Sequence, residues 1–136
     1  MPDRSLVEAF VARVESGDTL AALRDFYAPA ATVRENQQTP RIGLDALLAH
    51  EQVALDSVQA LRIRCVRPLL IEAEHVVIRW SIRYTTNKGH EVSFEELALQ
   101  CWRNGKIESE QFFYDPAQFS PRATAQQPCA NAANVA

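Results

Sequence analysis

The hydrophobic period of the chain changes near residue 60, and this change constrains the fold more than any other feature. Before it, apolar residues recur at helical spacing, as in Leu6, Phe10 and Val14. After Ala60, apolar and polar residues alternate in segments rich in β-branched and aromatic side chains. Since helices that precede a sheet must cover its apolar face, the order predicts an α+β fold.

The first part of the chain is predicted to form three helices. A Gly17 turn with a cap at Asp18 or Thr19 separates the first two helices, and Pro29 is predicted to end the second. The following "ATVRE" is typical of a brief strand, and the third helix is predicted to cover residues 43–58.

The second part is predicted to be a four-stranded antiparallel meander. Its strand-like runs, 61–72, 75–86, 91–103 and 106–115, are separated by the turn sequences "EAEH", "TNKGH" and "RNGK". Long antiparallel strands twist and coil. A sheet of this size around few helices is therefore expected to form a cone that is open at one end and can hold a ligand.

The length of 136 residues fits one domain, which we place at residues 1–118. Residues 119–136 are rich in Ala, Gln, Asn and Pro and are predicted to be a flexible tail.

Composition argues against several classes of protein. The net charge is −3 without a Lys/Arg-rich block, which disfavours nucleic acid as a partner. No apolar run approaches the roughly 20 residues of a membrane helix, and the N-terminus lacks the pattern of a secretory signal, so we expect no membrane and a cytoplasmic protein. The odd count of three cysteines, Cys65, Cys101 and Cys129, favours reduced thiols.

Three segments carry a resemblance to a known family: "YAPAATVREN", "PRIG" and the hairpin "WRNGKIESEQFFYD". In their order with the helices, they make residues 5–116 similar to the SnoaL-like group of the nuclear transport factor 2-like (cystatin-like) superfamily. The resemblance implies a cone of three N-terminal helices packed on a curved antiparallel sheet. It implies no single activity, since members include isomerases, cyclases, hydrolases, dehydratases and transport adaptors.

The ketosteroid isomerases of that superfamily provide a comparison at the level of residues. Their general base corresponds to Glu35 here, whereas their two oxyanion donors correspond to Phe10 and Ala98. Since each lost donor costs roughly 3 kcal/mol of transition-state stabilisation, isomerisation of steroids by that mechanism is not expected.

Two residues are candidate catalytic groups. Glu35 would act as a general base if apolar walls raised its pKa toward neutral, and the alternative is a solvated turn carboxylate. His50 lies at the edge of the apolar stripe of the third helix, where it could shuttle a proton or could be a partly exposed histidine.

Further residues are candidates for ligand binding. Glu51 falls near the centre of the apolar stripe, which indicates either a cavity-facing acid or an ion pair at a subunit interface. Alternation places Glu96 on the face of Ala98 and Trp102, although the apolar Leu97 on the other face leaves its orientation open. The remaining candidates are Phe10, Tyr27, Trp80, Glu110, Phe112 and Tyr114.

The strand at 75–86 leaves two orientations open. Either the set that includes Trp80 faces the cavity, or Arg79 and Arg83 turn inward to hold an anionic ligand or to pair with the glutamates. Some counter-charge is expected, because an acid-lined cone without one would be poorly stable.

These patterns lead to one functional hypothesis and one alternative. The protein is expected to bind or act on a small, mostly apolar organic molecule, with proton-transfer chemistry such as isomerisation, cyclisation or dehydration. No metal ligand spacing, phosphate loop or nucleophile elbow is present, so we expect no metal and no cofactor. The alternative is a carrier or adaptor without activity. The apolar outer face of the sheet predicts a homodimer.

Overall fold

The structure is a computed structural model that describes residues 2–119, so the predicted tail lies outside the described residues except for Phe119. The elements in chain order are α1 (Arg4–Glu15), α2 (Thr19–Phe26), β1 (Tyr27–Glu35), β2 (Arg41–Ile42), α3 (Leu44–Asp56), β3 (Val58–Glu72), β4 (His75–Thr86), β5 (Glu91–Arg103), β6 (Lys106–Phe113) and a 3₁₀ helix at Pro116–Phe119.

The three helices begin where local chemistry provides a start. Asp3 and Asp18 cap α1 and α2, and their carboxylates accept hydrogen bonds from the backbone N–H groups of Ser5 and Ala21. Gly43 precedes α3 with a φ of 94°, a left-handed conformation that favours glycine. Within residues 2–119, no helix combines the length and apolarity that crossing a membrane requires.

The six strands form one sheet in the order β2-β1-β6-β5-β4-β3. Strands β3 to β6 make the predicted antiparallel meander. The sheet is extended by β1, which runs parallel to β6, and by the short β2, which is antiparallel to β1. The α+β architecture predicted from the sequence is confirmed.

Three predicted boundaries are wrong. Pro29 does not end α2 but lies inside β1, where the register with β6 is interrupted between Tyr27 and Thr32 and a missing N–H is tolerated. Val58 begins β3 instead of continuing α3, and β6 ends at Phe113 instead of residue 115.

The helices pack on the concave face of the sheet around Phe10. Its ring makes edge contacts with those of Phe26, Tyr27, Trp80 and Trp102 at centroid distances between 5.5 and 6.4 Å. This aromatic centre belongs to the core, because all five side chains are at most 8% exposed.

The orientation of β4 is now decided. Val76, Ile78 and Trp80 are buried, whereas Arg79 and Arg83 are exposed. Arg79 pairs on the outer face with Glu95 at 2.7 Å. The arginines of β4 therefore do not supply the counter-charge of the cavity.

Candidate active site

A cavity of about 410 Å³ lies between the helices and the concave face of the sheet. The structure places all ten candidate residues on its wall: Phe10, Tyr27, Glu35, His50, Glu51, Trp80, Glu96, Glu110, Phe112 and Tyr114. They come from α1 and α3, from four strands of the sheet and from the segment after β6. Their roles in binding or catalysis stay predictions.

Glu35, at the end of β1, is held by two donors. The Tyr114 hydroxyl donates to Oε1 at 2.7 Å, and Nη2 of Arg41 donates to Oε2 at 2.9 Å. Burial raises the pKa of Glu35, but the hydrogen bonds from Tyr114 and Arg41, together with the charge of Arg41, outweigh burial and leave that pKa below its usual value. The condition for Glu35 to act as a general base, a pKa raised toward neutral, is therefore not met. Tyr114 responds in the opposite sense, since burial and its bond to Glu35 raise its pKa to about 12.

The two candidates on α3 differ in their surroundings. Nε2 of His50 lies 3.8 Å from Oε2 of Glu35, and 48% of its side chain is exposed, so this histidine sits at the rim. Glu51 is partly buried and accepts a hydrogen bond from the Thr19 hydroxyl at 2.6 Å. That bond joins α2 to α3, and Glu51 faces the cavity.

Glu110 lies deeper, at the centre of a chain of hydrogen bonds. The Tyr27 hydroxyl donates to Oε1, and Nε2 of Gln100 donates to Oε2 at 2.7 Å. The indole N–H of Trp102 donates to Oε1 of Gln100 at 2.9 Å, which fixes the amide so that its NH₂ group faces Glu110. Burial raises the pKa of Glu110 to about 7 despite the two hydrogen bonds. The same burial, with the charge of Glu110, raises the pKa of Tyr27 well above its usual value.

Glu96 is the acid without a donor. It lies on β5 directly opposite Trp80 of β4, and its carboxyl forms no hydrogen bond or ion pair with any residue in the range 2–119. Burial raises its pKa to about 8, and the nearby charges of Glu110, Glu35 and Glu51 act in the same direction. Glu95, the next residue along the strand, is on the outer face and pairs with Arg79.

A family model for the SnoaL-like domain matches residues 7–110. This chain belongs to the SnoaL-like domain family. No curated protein matches the sequence significantly.

Solved structures share the NTF2-like fold of this SnoaL-like domain. A protein from Mesorhizobium loti proposed to be a SnoaL-like polyketide cyclase has a TM-score of 0.71 and 21% identity, covering 84% of this chain and 100% of its own. A proposed polyketide cyclase from Xanthomonas campestris has a TM-score of 0.66 and 22% identity, covering 82% of this chain and 89% of its own. An NTF2-like protein of unknown function from Burkholderia pseudomallei has a TM-score of 0.73 and 15% identity, covering 85% of this chain and 92% of its own. These likenesses establish the α+β cone and no activity.

Arg41 is the site residue that the sequence analysis of this SnoaL-like domain missed. It pairs with Val33 across β1 and β2, so its side chain shares the inner face with the buried Val33. Among the described lining residues it is the one arginine or lysine. Because β2 has only two residues, no alternation of apolar and polar residues could show that Arg41 faces inward. The sequence did indicate that some basic residue must lie near the cavity acids, because an acid-lined cone needs a counter-charge.

Aromatic side chains surround the open end of the cavity. Phe94 packs against Phe119 of the 3₁₀ helix at a centroid distance of 4.8 Å, and Tyr114 lies 5.8 Å from Phe119. Tyr84 completes this rim at 6.3 Å from Phe94. Within residues 2–119, no group of three or more His, Cys, Asp or Glu side chains is arranged to hold a metal ion. The site thus combines apolar walls with ionisable oxygens, which suits an organic ligand and proton transfer.

Proposed function

We propose that this SnoaL-like domain binds a small, mostly apolar organic molecule in the cavity and transfers a proton within it, as isomerases, cyclases and dehydratases do. The observation that carries the proposal is Glu96: a carboxyl that faces an apolar cavity, has no hydrogen bond to a described residue and has a pKa of about 8. An acid with a pKa near the working pH transfers protons efficiently in both directions.

In this proposal, Glu35 and Glu96 have different roles. Glu35 is a weak base because Arg41 and Tyr114 hold it in the ionised form, so it orients its neighbours instead of removing a proton. Glu96 is a stronger base when ionised, and both of its oxygens are free of described donors. The base role expected for Glu35 is accordingly assigned to Glu96 in this proposal.

The experiment uses an apolar ketone whose C–H bonds are acidic, and it needs no knowledge of the natural substrate. The full chain is incubated with 2-tetralone in deuterated buffer, and deuterium at the carbons beside the carbonyl is followed by NMR. We expect exchange above the buffer rate, increasing up to a pH near 8, and a loss of at least about 100-fold in Glu96→Gln. Glu95→Gln, on the outer face, is the matched control and should exchange like the wild type.

The comparisons support this class of reaction. Two of the solved structures that share the fold are of proteins proposed to be polyketide cyclases. Cyclisation of a polyketide chain by carbon–carbon bond formation requires removal of a proton from carbon, and this is the step proposed for Glu96.

A carrier without activity is the second candidate. The positions of the isomerases' two oxyanion donors are Phe10 and Ala98 here, and both side chains are buried and apolar. A carrier would bind 2-tetralone with no exchange above buffer in wild type or Glu96→Gln. That result would reject the catalytic proposal and retain the binding one.

We also propose that the outer face of the sheet pairs with a second copy of the chain. Leu97 and Phe113 are cross-strand partners there and are 45% and 38% exposed, and Leu99, the next outward residue on β5, is 39% exposed. An apolar strip of this kind is commonly covered in a symmetric dimer. The cytoplasmic location stays a prediction.

A further inference from the structure

Arg41 is poorly paired for a guanidinium that is three-quarters buried. Its five N–H groups can each donate, yet only Nη2 has an acceptor, Oε2 of Glu35. Nε is buried without an acceptor in the part of the chain that the structure describes. Nη1 also has no acceptor among the described residues and, unlike Nε, is not fully buried, so its N–H groups are open to a group that enters the cavity.

The position of Arg41 shows where that group would sit. The side chain is 25% exposed and lines the cavity, and its charge opposes the rise in pKa that burial causes at Glu110 and Tyr114. A donor on the cavity wall whose charge acts on both groups is well placed to meet an atom of a ligand inside the cone.

The chemistry of the wall limits what the ligand atom can be. An N–H donor requires an acceptor, and a carbonyl oxygen is the acceptor that proton transfer at carbon also requires. A ligand with its own carboxylate is disfavoured, because Glu35 already neutralises part of the charge of Arg41 and the ionised Glu35 would repel a second carboxylate beside it. A neutral oxygen avoids that repulsion.

We infer that Arg41 binds the carbonyl oxygen of a neutral ketone-type ligand and is the oxyanion donor that replaces the two lost at Phe10 and Ala98. This inference rests on the proposed function and adds the substrate class to it. When Glu96 takes a proton from the carbon beside the carbonyl, the C–H electron pair forms a C=C bond and the carbonyl π pair moves to oxygen, where the Arg41 N–H groups meet the developing charge. The proton then returns from Glu96 to carbon.

Binding alone tests the inference, without turnover. The probes are 2-tetralone, the hydrocarbon tetralin with the same rings and no oxygen, and tetralin-2-carboxylate. Their Kd values are measured by equilibrium dialysis, and the ratio of the tetralin Kd to the tetralone Kd reports the preference for the carbonyl. Tetralin and 2-tetralone are hydrated differently in water, but that difference is the same for every variant. A change in the ratio between variants therefore reports only a change in the protein.

Four proteins make the comparison: wild type, Glu35→Gln, the double variant Arg41→Met with Glu35→Gln, and Arg79→Met as an outer-face control. The double variant removes the arginine without leaving Glu35 as an unpaired charge. We expect its carbonyl preference to be about 10-fold below that of Glu35→Gln, with tetralin binding unchanged. Arg79→Met should match the wild type, and the carboxylate should bind less tightly than the ketone.

The inference is overturned if the double variant keeps the carbonyl preference, if Arg79→Met loses it as well, or if the carboxylate binds as tightly as the ketone. Circular dichroism of each variant shows that the fold is retained. A carbonyl preference lost with Arg41 in a protein that shows no deuterium exchange would support carbonyl binding by Arg41 and reject its oxyanion role together with the catalytic proposal, so the two failures are distinguishable.

Discussion

The hydroxyl of Tyr27 donates a hydrogen bond to Oε1 of Glu110, joining the start of β1 to β6 across 83 residues of sequence. Glu110 is 4% exposed, and its other oxygen is bonded by Gln100. The pair therefore places a titratable group in the interior, where burial raises its pKa and two neutral donors oppose that rise.

Removing the Tyr27 donor should raise the pKa of Glu110. In Tyr27→Phe the ionised carboxyl loses one of its two hydrogen bonds while burial is unchanged, so we expect titration of Glu110 clearly above the present value of about 7. Site-resolved ¹³C NMR measures this titration. Tyr84→Phe is the control, since the Tyr84 hydroxyl bonds no described residue while its ring lines the same cavity. An unchanged Glu110 titration in Tyr27→Phe would contradict the account.

Glu96 should make the protein less stable as the pH rises. Its pKa is about 8 in the folded protein against a reference of 4.5, so between these values the folded state keeps a proton that the unfolded state releases. The contribution to stability is complete below about pH 4.5 and is lost as the pH rises through about 8. In Glu96→Gln this loss is absent, and we expect the variant to exceed the wild type at pH 9 by on the order of 3 kcal/mol in free energy of unfolding.

Urea denaturation at several pH values measures this difference. Glu95→Gln provides the comparison on the outer face, where the carboxylate pairs with Arg79. Parallel pH curves for Glu96→Gln and wild type would show that Glu96 titrates normally.

Glu35 should behave in the opposite way. Because its folded pKa lies below the usual value, its stabilising contribution is present above about pH 4.5 and is lost as the pH falls through the folded pKa. Glu35→Gln removes the pair with Arg41, whose partners are about one quarter exposed, and we expect a loss of roughly 1 kcal/mol at pH 7 that shrinks toward pH 3. Denaturation at both pH values measures it. Glu108→Gln, in an exposed pair with Arg103, should change stability by less than about 0.5 kcal/mol; an equal loss in both variants would argue against a special role for Glu35.

The outer sheet face gives a prediction about assembly. Leu99→Lys would place a charge in the apolar strip shared with Leu97 and Phe113, and we expect it to convert a dimeric wild type to monomers in sedimentation velocity. Val53→Lys, at an exposed position on α3, should leave the dimer intact. A monomeric wild type at high concentration would exclude the proposed contact.

The meander and the helices could be predicted from the sequence because their periods are long and consistent. Residues 75–86 alternate over twelve positions, and the tight hairpin before Lys106 carries Gly105 with a φ of 75°. The ten cavity positions were predicted from the family resemblance, from the apolar stripe of the third helix and from strand alternation, all of which depend on regular elements.

The parts that could not be predicted depend on tertiary contacts. Pro29 is a local helix breaker, yet here an interrupted register with β6 accepts it within β1. Arg41 belongs to a two-residue strand, so nothing local indicates that its side chain points inward. The pKa of Glu35 depends on that same arginine and on Tyr114, which lies 79 residues away in sequence.

The titration of the Glu96 carboxyl tests the central claim most directly. Selective ¹³C labelling of glutamate side chains, with assignment by Glu96→Gln, follows this one carboxyl in the full chain without any ligand. The account predicts a midpoint near 8, caused by burial and by the neighbouring acids. A midpoint near the ordinary 4.5 would mean that water or an unrecognised donor reaches Glu96, and it would contradict the proposed proton transfer.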